Sequence, residues 1–134
     1  MNSESDLNAK MRDMSRQAFD FPVVWKRIED ATGDLGTADT IMGSKMGVGW
    51  IELKFAGPNA KPAYRPGQQA FLYRWGSAGI PAHTLIGSKD GRIRLVKHTC
   101  LEASEWRDHM VVDTRVDDKD QMRMLFVRCM AMQP

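Results

Sequence analysis

No segment of this chain stays apolar over the roughly 18 residues that a membrane-spanning helix requires, so the sequence contains no helical membrane anchor. The first residues, MNSESDLNAKMRDMSRQ, are polar and of mixed charge. They lack the basic start and apolar stretch of a secretion signal, and the expectation is a cytoplasmic protein. Cysteine is scarce. Cys100 and Cys129 stand far apart, match no paired zinc-ligand spacing and are too few for a disulfide framework, so both read as reduced, buried thiols. His83, His98 and His109 have no metal-ligand spacing and read as structural or surface groups. A G-x-S-x-G elbow is missing, which leaves a serine hydrolase without support. The glycine-rich run Gly43–Gly49 lacks the Gly-Lys-Ser/Thr ending of a phosphate loop and reads as a hairpin turn. With no repeat, low-complexity tract or linker, the 134 residues are expected to form a single domain.

What is present is ordinary in amount and uneven in placement. Hydrophobic residues make up 43% and charged residues 27%, enough for one core with a charged surface. The net charge is only +2, but residues 58–98 carry Lys61, Arg65, Arg74, Lys89, Arg92, Arg94 and Lys97 against the single acid Asp90. Interleaved with Tyr64, Tyr73 and Trp75, this segment suits a phosphate backbone, or else forms a solvated basic face.

Ser3 or Ser5 can cap a first helix reaching about Gln17. Strands are predicted at 23–29, 37–42 and 48–55, the last placing Ile51, Leu53 and Phe55 on one face. The proline-rich stretch 57–67 is a loop. Gln68 to Ala78 is predicted helical, with Phe71, Leu72, Trp75 and Ala78 as its apolar stripe and Gly79 ending it. Strands follow at 82–87 and 93–96 around the Asp90-Gly91 turn, and another at 111–116. Thr99 and Glu102 can box the start of a helix to about His109. Met122, Leu125, Phe126 and Cys129 mark a last amphipathic helix. The strand–helix–strand step at 48–87 implies a right-handed crossover. The class is α/β, a mixed central sheet flanked by helices.

Within Trp50-Ile51-Glu52-Leu53-Lys54-Phe55, Glu52 and Lys54 share the face opposite the apolar residues. Alone, that pair also fits an ion pair on a solvated strand face. Asp39 shifts the balance, because a glycine-containing turn joins its strand to this one and pairing can bring it beside Glu52. Two converging carboxylates repel unless a cation lies between them. Hard oxygen ligands favour Mg²⁺ or Mn²⁺. A neighbouring lysine can then orient a water, which makes a hydrolytic site for a phosphodiester.

Gly36-Thr37-Ala38-Asp39, then Ile51-Glu52-Leu53-Lys54, then Gln68 heading a helix, resembles the PD-(D/E)xK nuclease superfamily. The pattern is most similar to its virus-type replication-repair nuclease branch, common in phages and related in fold to Holliday junction resolvases. Arg27-Ile28-Glu29 ahead of the aspartate is also like phage members. Ala38 departs from the pattern, standing where the branch usually has proline. The likeness covers about residues 23–87.

It implies a restriction-endonuclease-like core in a nuclease domain spanning 1–134, with the core at about 23–98 and a segment of unassigned role at 99–134. It further implies Asp39 and Glu52 as metal ligands, with the backbone carbonyl of Leu53 as another. Lys54 would position water, Gln68 would hold water or phosphate, and Glu29 would serve as a further acid or pair with Arg27 or Lys26. Lys61, Tyr64, Arg65 and Arg74 would then border the DNA. The expected function is a Mg²⁺- or Mn²⁺-dependent DNA nuclease, selective for branched or flapped DNA and working as a homodimer on symmetric junctions. The alternative is a nuclease-fold module that binds DNA or protein without cutting.

Overall fold

The computed structural model describes residues 1–28, 38–98 and 109–131. Glu29, the Gly36-Thr37 pair and the helix expected from Thr99 lie outside the described residues, as does Cys100.

Helix α1 spans Glu4–Gln17, and Ser3 caps it by accepting a hydrogen bond from the Asp6 backbone N–H. Strand β1 (Val24–Arg27) pairs antiparallel with β2 (Thr40–Ser44), which pairs antiparallel with β3 (Gly47–Phe55). Helix α2 (Gln68–Ser77) then crosses over to β4 (Ala82–Gly87), which lies parallel to β3. Strands β5 (Arg92–Lys97) and β6 (Met110–Arg115) follow antiparallel, and α3 (Lys119–Met130) closes the chain. The sheet order is β1-β2-β3-β4-β5-β6, with β3–β4 as its parallel pair. The fold is therefore α/β with a mixed sheet, as expected. No helix among the described residues is long and apolar enough to cross a membrane.

Alternation along β3 divides the molecule into two layers. Ile51 and Leu53 face a large core with Leu7 and Met11 of α1 and Met122, Leu125 and Phe126 of α3. Each such fully buried side chain contributes about 1.5–3 kcal/mol of burial free energy. The opposite face carries Glu52, Lys54 and Trp50, and its smaller cluster joins Leu72 of α2 to Ala38 and Ala82, with Trp50, Tyr64 and Phe71 packed on it. Helix α3 approaches β3 so closely that a Cβ at Gly49 would overlap the Cys129 carbonyl.

Three expectations are adjusted. The strand expected from Thr37 begins at Thr40, so Asp39 sits at the strand entrance rather than within it. The inward line of α2 is Gln68, Leu72, Tyr73 and Gly76, while Trp75 and Ala78 are exposed. A polar residue leads that line because its amide bonds to groups on β3. Part of the basic segment is structural. Arg94 is fully buried and donates to the carbonyls of Gly57 and Ala60, and Arg92 forms a two-pronged pair with Asp113 at 2.9 and 2.7 Å. Both cations tether the loop after β3 to β5, since Arg92 also donates to Asn59.

Candidate active site and metal centre

The β2–β3 register pairs Thr40 with Ile51, which sets Asp39 opposite Glu52. Asp39 is almost fully buried. Its Oδ1 accepts from the Thr40 hydroxyl at 2.8 Å and from the Leu53 backbone N–H at 3.2 Å. These donors aim the carboxylate along the β2–β3 seam. Glu52, 1% exposed, stands at the middle of β3.

A third carboxylate completes the group. Glu4, in the first turn of α1, brings an oxygen to Asp39 and Glu52 so that one ligand atom from each lies within 4.8 Å of the others. Trp25 holds α1 against β1 by donating its indole N–H to Asn8 at 2.8 Å. The Arg27 guanidinium spans Glu4 at 3.9 Å and Asp39 at 3.8 Å. Glu4, Ser5, Asn8, Arg27 and Ile28 line a cleft of about 530 Å³ on this side.

Like charge and low polarity act together here. Burial and the neighbouring Asp39 push the Glu52 carboxyl up to about 8, only partly countered by Lys54. Burial and Asp39 also raise Glu4, with Arg27 opposing. Three crowded carboxyl groups form a donor set suited to a hard divalent cation, and the triad can hold one.

Lys54 lies beside this group, its Nζ 3.7 Å from Glu52 Oε2. Gln68, buried at the head of α2, links the two. Its Nε2 donates to Glu52 Oε1 at 3.0 Å, and its Oε1 accepts from Lys54 Nζ at 3.0 Å and from the Arg65 backbone N–H at 2.8 Å. Gly67 enters the helix with φ of 86°, a left-handed conformation that glycine adopts without steric cost. Lys61, Arg65 and Arg74 are exposed, whereas Tyr64 is half-buried.

The structure thus brings Asp39, Glu52, Lys54 and Gln68 together, while Glu29 lies outside the described residues. Glu4 was missed. In sequence it is one of two acids, with Asp6, in a helix first turn, where acids are favoured by the helix dipole alone. His83 and His98 are buried and kept neutral, lowered by burial to about 3 and about 4, in keeping with a structural reading.

Neither a protein-family model nor a curated protein matches this sequence. Among solved structures, Hjc from Archaeoglobus fulgidus, a Holliday junction resolvase from an archaeal hyperthermophile, superposes with a TM-score of 0.52. The match is 16% identical and covers 91% of this chain and 89% of that one. The fold is that of a Holliday junction resolvase. This resolvase-like, restriction-endonuclease-type fold carries the acidic triad at the joint of α1, β2 and β3.

Proposed function

We propose that this chain is a divalent-metal-dependent DNA nuclease that hydrolyses phosphodiester bonds. The observation that carries the reading is the convergence of Glu4, Asp39 and Glu52 within 4.8 Å, with the Lys54 ammonium 3.7 Å from Glu52. The resolvase-like fold supports DNA as the substrate class.

Glu4, Asp39 and Glu52 would hold Mg²⁺ or Mn²⁺. The Leu53 carbonyl would add a ligand, since the N–H and C=O of a strand residue point to the same edge and this N–H already reaches Asp39. Bound there, the cation supplies Lewis acidity toward phosphate oxygens and acidifies a water. Lys54 orients the attacking water and offsets charge that gathers on the phosphoryl oxygens. Gln68 fixes Lys54 against Glu52, and the second N–H of its amide can hold water or phosphate. Water oxygen bonds to phosphorus and its proton passes to solvent, while the bond from phosphorus to a sugar oxygen breaks and that oxygen takes up a proton from solvent. Lys61, Arg65 and Arg74, all exposed, contact the backbone of the strand. Such a role belongs in a cytoplasm, the host's if the protein is phage-encoded.

The reading includes a homodimer that acts on branched DNA. Val24 and Val48, 59% and 54% exposed, flank Gly43 in one cross-strand row on the α2 side of the sheet. On the same side, Trp75 is exposed beside Trp50, with ring centres 5.6 Å apart. An apolar surface of this kind suits a two-fold contact. Sedimentation should show a dimer that Trp75→Glu dissociates.

The deciding experiment incubates the protein with plasmid, single-stranded, flap and four-way DNA in Mg²⁺, Mn²⁺ or EDTA. The expected result is metal-dependent cleavage that is lost in folded Glu52→Gln and Lys54→Ala variants. Retention of DNA without cleavage by the wild type would replace this reading with that of a binding module.

A further inference from the structure

The loop after β3 returns one aromatic side chain to the site. Tyr64 places its ring under the Lys54 ammonium, with Nζ 5.5 Å from the ring centre, inside the range of a cation–π contact. Its hydroxyl shares a 2.7 Å hydrogen bond with Thr84 Oγ1, and the same oxygen meets His98 Nε2 at 2.8 Å. Thr84 is fully buried on β4, in register with Glu52. His98 is 1% exposed, with Tyr73 and Tyr64 standing edge-on to it at 4.9 and 6.1 Å.

We propose that Tyr64 is a positioning residue for Lys54, with its ring anchored by the buried Tyr64–Thr84–His98 hydrogen-bond chain. The catalytic meaning rests on the hydrolytic reading above, whereas the contact itself does not.

Lysine has a long, flexible stem and a strongly hydrated head, so an exposed site gives it no single geometry. Here three groups confine the ammonium: Gln68 Oε1 at 3.0 Å, Glu52 Oε2 at 3.7 Å and the Tyr64 ring. The first two are polar and pull it toward the acids. The ring covers a further side and keeps water from competing there. A ring on a loop can do this only if the loop is held, and the hydroxyl chain holds it. Among the described residues His98 Nδ1 has no hydrogen-bond partner. A buried lone pair without a partner costs less than a buried N–H without one, which places the proton on Nε2. His98 then donates to Thr84, and Thr84 donates to the phenolic oxygen, giving the chain one direction. Burial keeps His98 neutral and pushes the Tyr64 hydroxyl up to about 12, so neither end ionises near neutral pH.

The test reads Lys54 directly. NMR of the lysine side-chain methylenes is recorded for wild type, Tyr64→Leu, Tyr64→Phe and Thr84→Val, each first shown to be folded by its melting transition. Wild-type Lys54 Hε signals should lie upfield from ring current. They should return to the solvent-exposed position in Tyr64→Leu, and move part of the way in Thr84→Val, which keeps the ring and loses the anchor. In the cleavage assay Tyr64→Leu should lower kcat about threefold to thirtyfold at unchanged KM, with Tyr64→Phe losing less. Lys54 signals that are the same in wild type, Tyr64→Leu and Thr84→Val overturn the proposal. If Tyr64→Leu does not fold, Thr84→Val and Tyr64→Phe decide it by the same criterion. A wild type that cleaves nothing while its Lys54 signals respond as expected removes the nuclease reading and leaves the positioning contact standing.

Discussion

Gln68 Nε2 and Glu52 Oε1 are joined by a 3.0 Å hydrogen bond across the gap between α2 and β3. Every polar atom of this amide that meets the site is committed, because the oxygen serves Lys54 and the Arg65 N–H. Gln68→Ala should therefore leave a buried carboxyl and a lysine without their link, a loss of about 1–3 kcal/mol for a buried polar partner. Applied to the reacting geometry, this is about tenfold to a hundredfold in kcat. Gln68→Glu should be worse than Gln68→Ala for metal-free stability, since it adds a fourth acid to the group. Cleavage kinetics and thermal melting in EDTA check both. Full activity in Gln68→Ala would show that the link is idle.

Glu4 reaches the triad from another element, and its charge is needed there only when a cation is bound. Glu4→Gln should weaken Mn²⁺ binding by about tenfold or more, because affinity at oxygen sites follows the number of charged ligands. The metal-free protein should be no less stable than wild type, because one member of a repelling group has been neutralised. Calorimetric titration with Mn²⁺ measures the first expectation and melting in EDTA the second. Unchanged affinity would place Glu4 outside the ligand set.

The centre of the site was legible because β3 alternates strictly, which sets Glu52 and Lys54 on the face opposite Ile51 and Leu53. A carboxylate and an ammonium occupy successive positions on a face where the neighbouring strand presents Thr84 and Ile86, buried. Asp39 was legible because a two-strand hairpin has few registers to choose from. Glu4 was not, since nothing local tells a first-turn helix acid from a ligand once its partners lie 35 and 48 residues along the chain. Arg94 misled for a related reason. Its charge counts toward a basic surface until the fold shows it fully buried under carbonyls of the 57–60 turn. The stripe of α2 was displaced because Gln68 turns its polar amide inward, an interaction that hydrophobic periodicity does not register.

Protonation gives a prediction with a definite sign. Glu52 has an ordinary value of 4.5 and is raised to about 8 in the fold, so between those limits the folded chain binds more protons than the unfolded one. Stability from this group is complete below about 4.5 and is lost as pH rises toward 8. His83 and His98 act the other way. Lowered from 6.5, they contribute above 6.5 and lose that contribution as pH falls. Metal-free protein should therefore be most stable near pH 6.5 and lose on the order of 1–2 kcal/mol by pH 8. Denaturant melts in EDTA across pH 6–9 check this. The decline should vanish in Glu52→Gln, which mimics the protonated acid, and in saturating Mn²⁺. A decline of equal size in Glu52→Gln would assign it to another group.

Gly49 couples the stability of β3 to the packing of α3. Its missing side chain is where the Cys129 carbonyl of α3 comes to rest, and Pro81 presents Cβ and its carbonyl oxygen at 3.0 Å from the same point. Both obstacles include backbone, so neither can rotate away as a side chain would. Gly49→Ala must push α3 off the sheet, an overpacking change of about 1–3 kcal/mol. Gly57→Ala is the matched control, because its Cβ would meet only the Ala60 Cβ at 3.8 Å, an ordinary contact. The two variants lie on either side of the Glu52–Lys54 stretch of β3. Thermal melting should fall by several degrees in Gly49→Ala and hardly move in Gly57→Ala. Metal affinity in the folded fraction of Gly49→Ala should stay close to wild type, because Glu52 lies on the face of β3 opposite the one that α3 packs with Ile51 and Leu53. Equal melting of both variants would show that α3 can rise from Gly49 without cost, and that the close approach does not hold β3 in place.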